Sequence, residues 1–239
     1  MSLKPRARRA PKGVLHSHQA TRSVPAVAIF ARAVAPGKAK TRLIPALGPG
    51  GAARFHGALV SDVLAKVAGL KGRAARYLFA AGGDLPEGMV PRAFERRRQR
   101  GRGLGQRLSQ AFHELLRGHS RAVIIGTDSP TLAPAMLRLA LEELRATDAV
   151  LGPCPDGGYY LIGLRRTVPG LFNGLRLGTE FAFGDTISSL VAHGLSCSVL
   201  GPCPDIDRPQ DLAALKKFLR KNSAARRLAP CTWQFLSKW

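Results

Sequence analysis

The chain has 239 residues, 45% of them hydrophobic, and sets 37 Lys+Arg against 15 Asp+Glu for a formal charge of +22. Such a globular composition excludes collagenous, coiled-coil and wholly disordered proteins. No apolar run approaches the roughly 20 residues that cross a bilayer, so no integral membrane protein is expected. Six cations lie in residues 1–22 and three in 222–239, so the body between them still carries +13. A phosphate-handling enzyme, a nucleic-acid binder and a general bias toward arginine all produce this balance, and specific nucleic-acid recognition is not expected, although the basic tails can hold polyanions. The four cysteines, Cys154, Cys197, Cys203 and Cys231, lack C-x-x-C spacing and a histidine pair, which argues against zinc. With no secretory pattern at the start, reduced thiols and a cytoplasmic location are expected.

In chain order, the apolar run Val24 to Arg32 predicts a strand, followed by a Pro/Gly/Lys loop to Pro49. Phe55, Leu59, Val63, Leu64 and Val67 recur at helical spacing and predict a helix over 51–69. A strand at 76–81, a basic stretch at 94–105, a helix at 104–116 and a buried-type strand at Ala122 to Gly126 come next. Pro130 or Pro134 opens a helix through Arg145, and a strand follows at 149–152. The remainder reads as a strand at 158–164, a helix at 185–193, a strand at 196–200 and a helix at 209–219. This alternation predicts an α/β domain of three layers, α/β/α, with a mostly parallel sheet, spanning 24–221 between a basic tail at 1–23 and a basic, aromatic tail at 222–239.

In an open α/β sheet, ligands bind outside the carboxyl ends of the strands, so the residues after each strand are the candidates. After the first strand, Pro36-Gly37-Lys38-Ala39-Lys40-Thr41-Arg42 sets three cations and a hydroxyl on a glycine-started loop. This suits a phosphate chain, because Gly37 admits close backbone approach, lysine supplies a point charge and arginine grips two oxygens; a solvated basic loop fits the same residues. It is not a P-loop. Gly126-Thr127-Asp128-Ser129-Pro130 follows the strand predicted at Ala122 to Gly126, and Asp128 either caps a helix or binds a hard cation. Asp156-Gly157-Gly158-Tyr159 follows another strand. Asp205 and Asp207, two apart before the last helix, either face one cation together or leave Asp207 as an N-cap. A basic loop after the first strand with aspartates after later ones composes a site for a Mg²⁺-bound nucleotide phosphate. The scattered histidines form no nucleophile triad, and the run Arg96 to Arg102 reads as a solvated face or a contact for an anionic substrate.

The segments PGKAKTRL, GTDSP, LGPCPDGGYYLIGL and DIDRPQDL, in order from about Ala26 to Leu215, resemble the GT-A-type rSAM/selenodomain-associated transferase family. That group is akin to molybdenum cofactor guanylyltransferase and 2-phospholactate guanylyltransferase; GRGLGQRL at 101–108 also matches. The resemblance implies a GT-A-like, nucleotide-diphospho-sugar transferase fold. It implies that Gly37, Lys38, Lys40, Thr41 and Arg42 bind the donor phosphates, that Asp128, Lys40 and Arg42 serve catalysis, and that Asp128 and Asp207 hold Mg²⁺ or Mn²⁺. Asp156, Gly157, Gly158 and Tyr159 would line the acceptor side. The expected activity is nucleotidyl transfer from an NTP to a small, possibly phosphorylated acceptor, with pyrophosphate released. Two alternatives stand beside it: glycosyl transfer from a nucleotide sugar, and a GT-A-like polyanion binder without activity.

Overall fold

A computed structural model describes residues 24–239. Seven strands form one sheet in the order β3-β2-β1-β4-β6-β5-β7: β1 (Ala26–Arg32), β2 (Ala75–Ala81), β3 (Glu95–Arg98), β4 (Ala122–Ile125), β5 (Ala149–Pro153), β6 (Tyr159–Leu164) and β7 (Cys197–Val199). The β1–β2, β1–β4, β2–β3 and β5–β7 pairs are parallel, and β6 runs antiparallel to both neighbours. The sheet is therefore mixed and mostly parallel, as the alternating pattern predicts. Strand alternation divides the core. Val27, Ile29 and Ala31 pack on one face with α1 (Ile44–Ala68) and α3 (Pro134–Glu143). Ala26 and Ala28 pack on the other with α2 (Leu104–Leu116) and α4 (Ala182–Ala192). Side chains that point to opposite faces at each step make each strand serve both layers.

Three elements differ from the sequence reading. Glu95–Arg98, read as part of a basic stretch, is a strand on the sheet's edge, where charged residues are tolerated because one flank meets solvent. Helix α1 begins at Ile44, not near 51, with a kink at Gly48, whose φ of 65° a glycine adopts freely. The expected tail at 222–239 folds into α6 (Ser223–Leu228) and α7 (Pro230–Lys238), beyond α5 (Pro209–Lys221). Leu236 and Ala225 join Phe55, Leu59, Leu212 and Leu219 in a third apolar cluster, and Phe235 meets Phe55 at 5.4 Å between ring centroids. Asp62, 1% exposed on α1, accepts hydrogen bonds from the amides of Cys231 and Thr232, both at 2.9 Å, and so caps α7. The basic segment 1–23 lies outside the described residues. No helix among the described residues is long and apolar enough to cross a membrane.

Because β1, β4, β5 and β7 point the same way, the loops at 33–43, 126–133, 154–158 and 200–208 open from one sheet edge. The chain runs outward from β1 through β2 to β3 and then returns to β4 on β1's other side. The crevice between the β1 and β4 loops is thus a topological switch point, where open α/β sheets take their ligands.

Candidate active site

At this crevice Lys40 holds a left-handed backbone (φ 52°, ψ 40°), the sole non-glycine residue with positive φ among those described. That conformation costs a non-glycine residue about 1–3 kcal/mol and is kept where surrounding contacts over-determine it. The contacts are evident. The side chain is 4% exposed, and its Nζ donates to Asp128 Oδ1 at 2.8 Å, to Asp207 Oδ1 at 2.7 Å and to the carbonyl of Ile206 at 2.5 Å. The Ile206 amide in turn donates to the Asp128 carbonyl at 2.9 Å, tying the 205–207 segment to the loop after β4. Burial works to strip the proton from Lys40, but the two carboxylates outweigh it and hold the ammonium above its ordinary pKa. Burial likewise pushes the Asp128 carboxyl up, and Lys40 overrides it, leaving Asp128 below the usual carboxylate range.

Neither aspartate does the simpler job its position allowed. Helix α3 starts at Pro134 with Ala133 as N-cap, far from Asp128. Helix α5 is capped at Arg208, with Asp211 closing back onto the Arg208 and Asp207 amides at 2.7 and 3.1 Å, so Asp207 is free of capping. The three loop cations separate. Lys40 turns inward onto the carboxylates, whereas Lys38 and Arg42 stay exposed, Arg42 reaching Asp207 only at 3.4 Å. Gly37 takes φ 74° in open space and Thr41 is exposed.

The hairpin between β5 and β6 brings a second acidic group. Ligand atoms of Cys154, Asp156 and Asp205 lie within 4.8 Å of one another. Burial, then Asp156, Asp207 and Asp128, push Asp205 up to about 6, the mark of negative charge gathered faster than it is neutralised. Asp205, whose spacing two before Asp207 lets the pair face one cation, lies with Cys154 and Asp156. At Gly157, with φ 87°, an added Cβ would meet the Glu180 carbonyl at 2.0 Å, so only glycine fits the turn. The Gly158 amide donates to Asp156 Oδ1 at 2.9 Å.

Tyr159 corrects the expected acceptor side. Its side chain turns into the core shared with α2 and α4, beside Thr186, where burial raises its pKa. Tyr160 is the neighbour that reaches the site loops, donating to the Gly201 carbonyl at 3.0 Å and holding the 200–208 segment in place. His56, 2% exposed, donates through Nε2 to the Arg32 carbonyl at 3.1 Å, and its buried Nδ1 has no partner. Burial lowers its pKa, with Asp128 and Lys40 both within electrostatic reach. Sequence spacing gave no sign of this residue.

Several carboxylate oxygens around one crevice make a hard donor set, and the Lys40 ammonium already occupies a cation's position between two of them. Both observations fit a Mg²⁺ or Mn²⁺ ion.

Comparison with known proteins agrees with this architecture. Residues 64–179 match the family described as "Uncharacterized protein conserved in bacteria (DUF2064)". A solved structure from Desulfovibrio desulfuricans G20, provisionally named a nucleotide-diphospho-sugar transferase, is 30% identical with a TM-score of 0.81, covering 90% of this chain and 95% of its own. CMP:2-keto-3-deoxy-manno-octonic acid synthetase complexed with CTP shares the fold at 14% identity and a TM-score of 0.51, over 83% of this chain and 99% of its own. A cytidylyltransferase from Leptospira borgpetersenii does so at 13% identity and 0.56, over 90% and 94%. No curated protein matches the sequence. By fold and by its 30%-identical relative, the chain belongs to the same family as that structure and has the nucleotide-diphospho-sugar transferase, GT-A-like architecture, with the DUF2064 match confined to residues 64–179.

Proposed function

We propose that the chain is a divalent-metal-dependent nucleotidyltransferase that joins the nucleotidyl part of an NTP to a small acceptor and releases pyrophosphate. The observation that carries this reading is the cation seat at the switch point, where Lys40 bridges Asp128 and Asp207 from three separate loops. Asp128 and Asp207 would hold the metal, with Asp205 and Asp156 beside them. When bound, such an ion neutralises phosphate charge and polarises the reacting phosphoryl group. Lys40 holds Asp128 and Asp207 in place from within, and Lys38 and Arg42 offer two mobile cations to the donor's phosphate oxygens at the rim. Asp156, fixed by the Gly158 amide, and the Gly157–Gly158 turn line the acceptor side. The acidic wall also orients an acceptor hydroxyl toward the donor, so the residues act chiefly by positioning and charge matching.

Charge matching favours an NTP. A triphosphate brings roughly four negative charges, of which one divalent cation cancels two, and the two exposed cations Lys38 and Arg42 match the remaining two. The CTP-bound neighbour supports a nucleoside triphosphate in this fold. A second reading, glycosyl transfer from a nucleotide sugar, is favoured by the name of the 30%-identical relative. The finer resemblance to the rSAM/selenodomain-associated group fits either reading.

Incubation with Mg²⁺, labelled NTPs and nucleotide sugars, and a pool of small phosphorylated and hydroxylated acceptors separates them. Pyrophosphate release supports nucleotidyl transfer, and nucleoside diphosphate without pyrophosphate supports glycosyl transfer. A nucleotide at 100 times its Kd stabilises the chain by about 2.7 kcal/mol. A Mg²⁺-independent or absent thermal shift with every nucleotide overturns both readings.

A further inference from the structure

The edge strand β3 and helix α2 enclose a second cleft, of about 460 Å³, that contains none of the residues of the site above. Arg97, Arg98 and Arg100 line its strand side, Arg107, Glu114 and Arg117 its helix side, with Glu114 taken up by Arg97. Residues 92–117 hold eight arginines against two glutamates. Arg97 is neutralised by Glu95 and Glu114, and Arg98 by Asp84 at 3.0 Å. Arg100, Arg107 and Arg117 form no ion pair among the described residues; Arg100 and Arg117 are exposed, and Arg107 spends only its Nε on the Gly101 carbonyl at 3.1 Å. At a 1.5 Å rise per residue, the helix side of the cleft from 107 to 117 runs for about 15 Å. Three uncompensated cations along a concave channel are a phosphate track.

We propose that this cleft binds the backbone of a single-stranded nucleic acid, without sequence preference. The cleft is concave, between an edge strand and a helix, which suits a single strand better than a flat lipid surface. Its cations are all arginine; no lysine occurs between residues 72 and 215. A guanidinium plane grips two phosphate oxygens at once and also stacks on a base, whereas an ammonium offers only a point charge. A chain that carries bases therefore gains more here than inorganic polyphosphate does. This proposal stands apart from the transferase reading, because the groove and the metal-site loops share no residue.

The test titrates a fluorescent single-stranded 12-mer into the full chain over a range of salt concentrations. Replacing all three free cations (R100A/R107A/R117A) should weaken binding at least tenfold and reduce the slope of log K against log salt by about 2, at ~0.7 per lost phosphate contact. If that variant fails to fold, R100A/R117A, which alters only exposed residues, should still reduce the slope by about 1.4. Unchanged affinity and slope overturn the proposal, as does a loss seen only when the terminal cations are removed (R6A/R8A/R9A). Equal affinity for polyphosphate of matched charge, or for a duplex of the same length, also overturns it.

Discussion

The ammonium of Lys40 and the carboxylate of Asp207, 167 positions apart in the chain, meet at 2.7 Å. The contact closes a ring, since Lys40 also binds Asp128 and the Ile206 amide binds the Asp128 carbonyl. Three loops from distant parts of the chain are thereby fixed around one point of charge. Four predictions follow from this ring and from the helix packed behind it.

Asp128→Asn keeps the shape of the side chain and removes its charge. Turnover should fall at least ~100-fold, and Mg²⁺ should no longer strengthen nucleotide binding. The folding cost should stay near ~1 kcal/mol, because Asp128 keeps about 45% of its side chain exposed and solvent screens the lost ion pair. Thermal shifts with NTP, with and without Mg²⁺, check this; undiminished Mg²⁺ dependence removes Asp128 from the metal site.

Lys40→Met leaves Asp128 and Asp207 facing each other beside Asp205 with no internal cation. Like charges then raise the carboxyl pKa values, and a raised carboxyl pKa makes the native state bind protons that the unfolded chain has lost. Stability of the variant should therefore fall as pH rises from about 4 to 7, more steeply than in the parent. Added Mg²⁺ should restore more of it than in the parent, where the ammonium competes for the same oxygens. Melting curves across that range with and without Mg²⁺ decide; equal metal rescue in both proteins counts against the seat.

Asp62→Ala should be among the costliest single changes. It removes the acceptor for the first turn of α7, orphaning the Cys231 and Thr232 amides, and leaves the buried Lys66 without its nearby carboxylate. Breaking a buried charge partnership of this kind costs about 3–5 kcal/mol. Denaturant unfolding measures it, and a change below ~1 kcal/mol shows that α7 contributes little to the fold.

Lys66 donates to the Pro130 carbonyl at 2.6 Å, two residues beyond Asp128, and burial brings its pKa down to about 8. Below pH 8 both native and unfolded states hold the proton, and no dependence arises. Between about 8 and 10.5 the unfolded chain holds a proton that the native state has released, so stability from this residue rises with pH by up to about 3 kcal/mol. The stability difference between the parent and Lys66→Met should climb across that interval; a flat difference means that Lys66 keeps an ordinary pKa.

Much of the architecture was written in local patterns. Apolar runs such as Ala122–Ile125 and the helical spacing of Phe55, Leu59 and Val63 report burial directly, because a strand between two helical layers and a helix on a sheet leave different periods. Glu95–Arg98 escaped because an edge strand satisfies its backbone through one neighbour and leaves its side chains no need to be apolar. Helices α6 and α7 escaped because their burial is decided by Asp62 and Phe55 on a helix far earlier in the chain.

Chain order alone shows which residue types stand after which strands, and so which acids and cations the crevice can draw on. Their pairing is a product of the fold. Lys38, Lys40 and Arg42 are equivalent in a string of letters, and the left-handed turn at Lys40 alone sends one of them inward to the carboxylates. Tyr159 and Tyr160 likewise differ only in strand phase, which the register of β6 against β4 and β5 settles. Composition and spacing record what a residue can do, whereas a pairwise contact depends on loops closing from opposite ends of the chain, and no local pattern encodes that closure.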